Sequence, residues 1–434
     1  MPTWIIEPRD PLIVRDGRPF GPTPGARAAT LPFPFPSTTT GGVRTQAGLD
    51  AGGRFIVSDD NIARVKGIAV RGPLLVEIDD ADQITQWLVP APADALLTHA
   101  DDGSLLRQRL GPIDEPAAQT AWAASPVPAD LHLLAPARHL DRKPAADPPR
   151  FWYWPELMHW LYEPPAEDSL VRIQPGEDNA GLWEKVDGAG ARPHRPIGHN
   201  GPSTEMRMHV SIQPATSTAL EGALFQTRGL EFVGPARQRL ALAISSAGTV
   251  ATGMAPLGGE GRLVQWSAGY PSQPPAVSSP PPAPAASADL PEGDLFATTC
   301  PAPIQQAIVR QRACRLVLLT PACFEAGYSP TWVMQQYGAV VSLKGAAVNR
   351  FPVVSGWDFA ARQGAGAPKS TRRLAGAGSV FFFKLGDDDA AIVHWIQDVW
   401  MHCVSDSAGA QQDGFGLAVL GTWSGDLQTM EVSP

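Results

Sequence analysis

The sequence has no apolar run approaching the ~20 residues that a membrane-spanning helix requires. Its N-terminus lacks a basic stretch followed by an apolar core, so no secretion signal is expected and the chain reads as soluble and cytoplasmic. Cysteine is scarce: Cys300, Cys314, Cys323 and Cys403 include no CxxC pair. That spacing argues against a zinc ribbon or a disulfide framework and predicts free, reduced thiols. The absence of any repeat of fixed period argues against a solenoid. No Gly-x-Ser-x-Gly elbow and no zinc-type histidine pair is present. Positive charge is also short overall, with 34 Lys+Arg against 43 Asp+Glu, a net −9. On its total charge the protein is not expected to hold a polyanion.

What is present points elsewhere. In 434 residues, 44% are hydrophobic, which is enough for a sizeable core and excludes wholesale disorder. The length fits two or three domains, or one duplicated fold with long insertions. The 45 prolines and 42 glycines are each close to a tenth of the chain, against typical usage of about 5% and 7%. Proline cannot donate to a sheet ladder, so short elements with irregular connections are expected.

Trp4-Ile5-Ile6 predicts a first strand. The proline-punctuated Leu31–Pro36 must be extended, and Ser37 or Thr38 is the expected N-cap of a helix through Val43 and Arg44. Gly41 and Gly42 weaken that helix, which suggests that something approaches its backbone closely. Residues 62–78 read as strands flanking an Arg71-Gly72-Pro73 turn. From about 112 to 203 the pattern dissolves into an insertion with one helix near Pro155–Tyr162. Alternation returns at Met206–Ile212, at Ala223–Thr227 and at Arg239–Ser245. Pro271–Ala288 is Pro/Ala/Ser-rich and reads as a tether or loop. Strands follow at Arg315–Leu319, Gly338–Leu343 and Gly378–Leu385, then a helix from Ala390 to about Cys403 and a last strand at Leu417–Thr422. The expected class is α+β with two ferredoxin-like (RRM-like) domains and long insertions. The first would span 1–270 and the second 289–434, with 271–288 between them.

Several motifs suggest chemistry at first glance. Gly364–Thr371 resembles a phosphate loop, but Pro368 occupies the place of the glycine before Lys369. Asp387-Asp388-Asp389 resembles a metal-binding turn, yet the helix that follows is explained by capping and dipole compensation. His394 and His402 lie eight apart in what reads as one helix, amid tryptophans, a core pattern. His194, His199 and His209 match no metal spacing, although a metal-independent ribonuclease can use such a residue as general acid or base. No metal or cofactor is expected.

The clearest signal is a shift of charge. Between Val341 and Gly386 seven basic residues (Lys344, Arg350, Arg362, Lys369, Arg372, Arg373 and Lys384) face Asp358 alone. That local +6 leaves −15 for the remainder of a chain whose total is −9. Glycines interleave with these charges and let backbone N–H groups approach an anion. Phe351, Trp357, Phe359, Phe381 and Phe383 offer rings on which unpaired bases can stack. The competing reading is a solvated basic face over a buried aromatic strand.

Taken in order, Pro8–Phe20, Leu31–Gly42, Thr218–Phe225, Val354–Asp358, Pro368–Arg373 with Gly378–Phe383, and Gly414-Phe415-Gly416 through Gly421-Thr422-Trp423 resemble one family. It is the third-subunit family of the type III-B CRISPR Cmr effector complex, within the RAMP (repeat-associated mysterious protein) superfamily. The 112–203 insertion and the 271–288 segment lie outside the resemblance. The resemblance implies a non-catalytic subunit with two RRM-like folds. Such a subunit holds the 5′ handle of the guide RNA, caps the filament of backbone RAMP subunits and docks on the large palm-domain subunit. It implies RNA contacts by the Gly414–Gly416 loop, by Arg15, Arg18 and Arg27, and by Lys344, Arg350, Lys369, Arg372 and Arg373. Because some RAMP relatives cleave guide precursors, an endonuclease using His194, His199 or His209 stays open as the alternative.

Overall fold

The computed structural model describes residues 1–15, 27–28, 30–101, 104–116, 130–137, 142–162, 171–175, 182–186, 195–269, 294–335, 340–358 and 366–429. Among these, the first part contains β1 (Thr3–Pro8), β2 (Arg27–Ala28), α1 (Pro36–Ala47), α2 (Asp59–Lys66), β3 (Val70–Ile78), β4 (Ile84–Pro90), β5 (Ala95–His99) and β6 (Leu105–Pro116). It continues with β7 (His132–Pro136), β8 (Phe151–Tyr153), α3 (Trp154–Tyr162), β9 (Val171–Pro175), β10 (Leu182–Val186) and β11 (Arg195–His199). Then come β12 (Ser203–Gln213), β13 (Thr218–Glu231), β14 (Arg239–Ser246), β15 (Gly253–Pro256) and β16 (Leu263–Ala268). The second part holds α4 (Ala302–Gln311), β17 (Ala313–Leu318), α5 (Thr331–Met334), β18 (Val341–Ala347), β19 (Val353–Val354), β20 (Trp357–Asp358), β21 (Ala367–Pro368) and β22 (Arg372–Arg373). It ends with β23 (Val380–Leu385), α6 (Asp389–Val399), β24 (His402–Cys403), α7 (Ala408–Gln412) and β25 (Leu417–Thr422). The protein is α+β, mostly antiparallel sheet with few helices. No described helix is long and apolar enough to cross a membrane.

A large sheet runs β15-β16-β1-β14-β3-β4-β8-β11-β10-β9-β6-β5, and a five-stranded sheet runs β18-β23-β17-β25-β24. The alternation of side chains along a strand explains how the large sheet is covered on both faces. On β14, Leu240, Leu242 and Ile244 enter a core shared with Val43 of α1, whereas Ala241 and Ala243 turn to a second core. That second core is built with Phe381, Phe383 and Trp395 of the C-terminal part. Gly42 lets α1 lie down on this sheet, since a Cβ there would come within 2.8 Å of Leu257 and 3.1 Å of Trp266. Gly41 has nothing within 4 Å and faces outward. The predicted close approach is therefore made by the protein's own side chains at Gly42.

The two parts are locked by contacts that sequence spacing does not reveal. Arg315 of β17 is 1% exposed and forms an ion pair with the fully buried Asp94, beyond the end of β4. It also donates to the Trp160 carbonyl at 2.7 Å and the Thr422 carbonyl at 2.9 Å, while Trp160 Nε1 donates to Asp94 at 2.8 Å. At Gly378 (φ +82°), Ala93 N–H donates to the glycine carbonyl at 2.7 Å, and a Cβ would sit on the Ala91 carbonyl oxygen. Gly378→Ala is expected to destabilise the fold by at least the roughly 1–3 kcal/mol of a strained backbone position. A chemical-denaturation midpoint equal to wild type would disprove this.

Several sequence expectations need correction. The first helix begins at Pro36 with Phe35 as its N-cap, not at Ser37 or Thr38. Proline is well placed there, because its missing N–H would have no intrahelical partner. Residues 59–66 are helical, with Ser58 Oγ accepting from Asn61 N–H, and Arg71-Gly72-Pro73 lies inside the single strand β3. Within the insertion, where the apolar pattern dissolves, β8, β11, β10 and β9 pair in that order and join β4 to the β6–β5 end of the large sheet. Helix α6 ends at Val399, so His402 sits on β24. Met401 adopts φ +54°, which breaks helical continuity between them. The capping role assigned to the aspartates is found at Asp388, whose Oδ1 accepts from Ala390 and Ala391 N–H. Residues 271–288 lie outside the described residues.

Candidate nucleic-acid interface

Two small ribbons follow β18: β19 pairs with β22 through Val353–Arg373 and Val354–Arg372, and β20 pairs with β21 through Trp357–Pro368 and Asp358–Ala367. They bring four of the expected contacts together. Arg350, Lys369, Arg372 and Arg373 make no ion pair with any described residue. Lys369 N–H donates to the Gly356 carbonyl at 2.7 Å, and its side chain is exposed. Lys66 of α2 reaches Asp358, the stretch's one acid, at 3.4 Å, which offsets its charge.

Beneath the ribbons lies a small apolar cluster of Phe35, Val354, Leu374, Ala410 and Phe415. Phe35 belongs to the start of α1 and Phe415 to the glycine loop, so this cluster joins the two ends of the chain. The Arg372 guanidinium lies 5.4 Å from the Phe415 ring centroid. Helix α1 has no side-chain cap and no acidic residue in its first turn. That end is buried at Phe35 and Pro36, and Thr38 N–H donates to the Phe35 carbonyl at 2.9 Å.

The glycine loop serves the fold directly. Gly414 (φ +92°) is buried, and a Cβ would come within 2.9 Å of the Gly72 carbonyl oxygen and 3.0 Å of that of Val70. At Gly416 (φ +89°) a Cβ would come within 2.8 Å of Ser405 N. Thr320 Oγ1 donates to the Gly414 carbonyl at 2.8 Å and accepts from Leu417 N–H at 2.9 Å. From the other side, Arg44 of α1 pairs with Asp413 at 2.6 Å. Both glycines are thus required by backbone packing alone.

The other expected contacts lie apart or are engaged. Lys344 pairs with Asp130 at 2.8 Å, joining β18 to the insertion. Arg15 lies 3.5 Å from Glu260. Arg27 lies on β2, which pairs with β13 at the edge of a three-stranded sheet. Arg18 and His194 lie outside the described residues. His199 is fully buried; Gly201 N–H donates to its Nδ1 at 2.9 Å, so Nε2 carries the proton and faces Glu77 at 3.3 Å. Tyr153 donates to the same carboxylate at 2.7 Å, and burial, reinforced by the Glu77 charge, pushes its phenol pKa up. His209 stacks on Phe225 at 5.1 Å and its Nε2 lies 2.8 Å from Thr227 Oγ1.

All four cysteines are free. Burial pushes Cys323 up to about 11 and Cys300 and Cys403 up to about 12, and raises Cys314 as well. Thiolate is the reactive form. The native protein is therefore expected to react with Ellman's reagent at pH 8 far more slowly than the denatured chain. A fast native burst would contradict this.

Sequence reasoning missed two features. One is Phe35 and the uncapped start of α1, whose signal was the misplaced cap. The other is the β12–β13 hairpin, where Met206, Met208, Val210, Ile212 and Leu224 are exposed. Register puts Val210 opposite Leu224, and strand alternation puts all five on one face. Strict alternation was visible, but which face the fold covers was not.

The family model for CRISPR-associated protein (Cas_Cmr3) matches residues 4–423. The chain belongs to this family. It is the family of the third subunit of the type III-B CRISPR Cmr effector complex, as the ordered motifs implied. Among solved structures, a chain of type III-B Cmr-beta bound to cognate target RNA and AMPPnP is similar, with TM-score 0.39 and 11% identity, covering 88% of this chain and 86% of that one. A chain of Cmr-beta bound to cognate target RNA gives TM-score 0.39 and 12% identity over the same shares. None of the curated proteins compared matches.

Proposed function

We propose that this subunit of a type III-B CRISPR complex holds the 5′ handle of the guide RNA, without catalysing a reaction itself. The observation that carries this reading is the group of cations Arg350, Lys369, Arg372 and Arg373 on and beside the two ribbons, none of which makes an ion pair with a described residue. Phosphate neutralised by such groups releases counterions, and screening makes local charge count for more than the chain's −9.

One further feature supports the family role of capping the backbone subunits and docking on the large palm-domain subunit. The apolar face of the β12–β13 hairpin is the kind of surface that marks a protein partner. The sheet orders also favour two ferredoxin-like units. In β16-β1-β14-β3 and in β25-β17-β23-β18, the first and third strands of each unit lie centrally, with antiparallel neighbours throughout. Helix α1 follows the first strand in one unit; in the other, α5 follows the first strand and α6 the third.

Purifying the complex and sequencing the RNA that accompanies it tests the reading. Guides sharing one repeat-derived 5′ segment are expected, with filter binding by the subunit favouring RNA that carries that segment. No preference for it, in the complex or alone, would sink the proposal. Cleavage of repeat RNA in EDTA, abolished by His209→Ala, would favour the endonuclease instead.

A further inference from the structure

We propose that Phe351, backed by Arg373, is a stacking platform for one unpaired base of the bound RNA; the inference rests on the RNA-binding reading above. Phe351 is 51% exposed. The Arg373 guanidinium lies 5.0 Å from its ring centroid, within the range of a cation–π contact. Arg373 is itself exposed and Arg372 half-buried, because consecutive strand residues point to opposite faces of the β19–β22 ribbon. Arg372 thereby turns to Phe415 and Arg373 to Phe351. One strand thus presents two guanidinium–ring pairs on opposite sides.

The occupant follows from the surroundings. Phe351 is preceded by Arg350 and lies two residues before β19, whose ribbon partner β22 carries Arg372 and Arg373, and none of these cations has an acidic partner among the described residues. An apolar protein surface covering the ring would bury those charges uncompensated, which is costly. A single-stranded nucleic acid brings both complements at once, flat bases for the ring and phosphates for the guanidinium groups. The guanidinium also fixes the ring's orientation, so less freedom is lost when a base stacks. Because every base has a π-face, the platform selects for an unpaired base rather than for its identity.

The experiment uses the full chain and the 5′ segment of the co-purifying RNA, resynthesised with 2-aminopurine at one position at a time. With wild type, emission at one position is expected to fall on binding, the signature of stacking. Phe351→Ala should restore that emission and weaken binding roughly 5- to 100-fold while leaving the salt dependence unchanged. Phe351→Leu, which keeps apolar bulk but lacks the ring, should behave like Phe351→Ala. Wild-type affinity and quenching in both variants would overturn the platform while leaving the phosphate site intact. Failure of the wild-type chain to bind this RNA at all would overturn both.

Discussion

Arg315→Ala is expected to destabilise the protein by about 3–5 kcal/mol, the cost of removing one partner from a buried ion pair. The pair lies where the two parts of the chain meet, with Arg315 on β17 and Asp94 beyond β4. Removing the guanidinium leaves the Asp94 carboxylate fully buried, with the Trp160 indole as its remaining side-chain donor among the described residues. It also strips a donor from the Trp160 and Thr422 carbonyls. The penalty comes chiefly from the stranded charge, so Asp94→Leu combined with Arg315→Met should recover much of the loss. Urea denaturation of the three proteins checks this. A single-variant loss below about 1 kcal/mol, or a double variant no better than the single, would show that Asp94 is solvated or partnered otherwise.

Arg372→Ala combined with Arg373→Ala is expected to weaken guide-RNA binding roughly tenfold or more at low salt. Arg373 is exposed and Arg372 half-buried over Phe415, and neither makes an ion pair with a described residue, so the fold should survive the change. If each neutralises one phosphate, the slope of log affinity against log salt should flatten by about 1.4, at ~0.7 per contact on a single strand. A reduced affinity with an unchanged slope would mean that the arginines act through stacking alone. An unchanged affinity would remove this ribbon from the interface. Lys344→Ala provides the contrast: its ammonium is engaged with Asp130, so its loss should loosen the junction of β18 with the insertion and change RNA binding much less.

Much of the architecture was readable because it rests on local pattern. Trp4–Ile6, Arg239–Ser245, Val380–Leu385 and Leu417–Thr422 are apolar runs of strand length, and each is a strand. Asp388 preceding a helix announces its own capping chemistry. Where local signals conflicted, the reading slipped. Ser37 and Thr38 were attractive caps, but Pro36 can be accommodated in the first turn, so the helix starts earlier. In the 112–203 insertion only the helix near Pro155–Tyr162 was legible, because the strands there are short and held by neighbours far away in sequence, such as β4 for β8.

The candidate site divides in the same way. The excess of cations between Val341 and Gly386 is a property of composition, and the sequence alone revealed it. It could not tell which of those cations are free, because that depends on partners brought by the fold. Asp130 takes Lys344, while Lys384, Arg372 and Arg373 lie over the rings of Trp423, Phe415 and Phe351, and Arg350, Lys369, Arg372 and Arg373 have no acidic partner among the described residues. Nor could it tell that the glycine loop is committed to packing against β3 and residues 404–405. Composition, apolar period and the order of motifs along the chain are one-dimensional, and they determined the class, the family and the basic stretch. Charge pairing and exposure are three-dimensional, falling off within a few ångströms of each group. Only the tertiary structure therefore decided which cations lack an acidic partner among the described residues and that the Phe351 ring stands exposed beside Arg373.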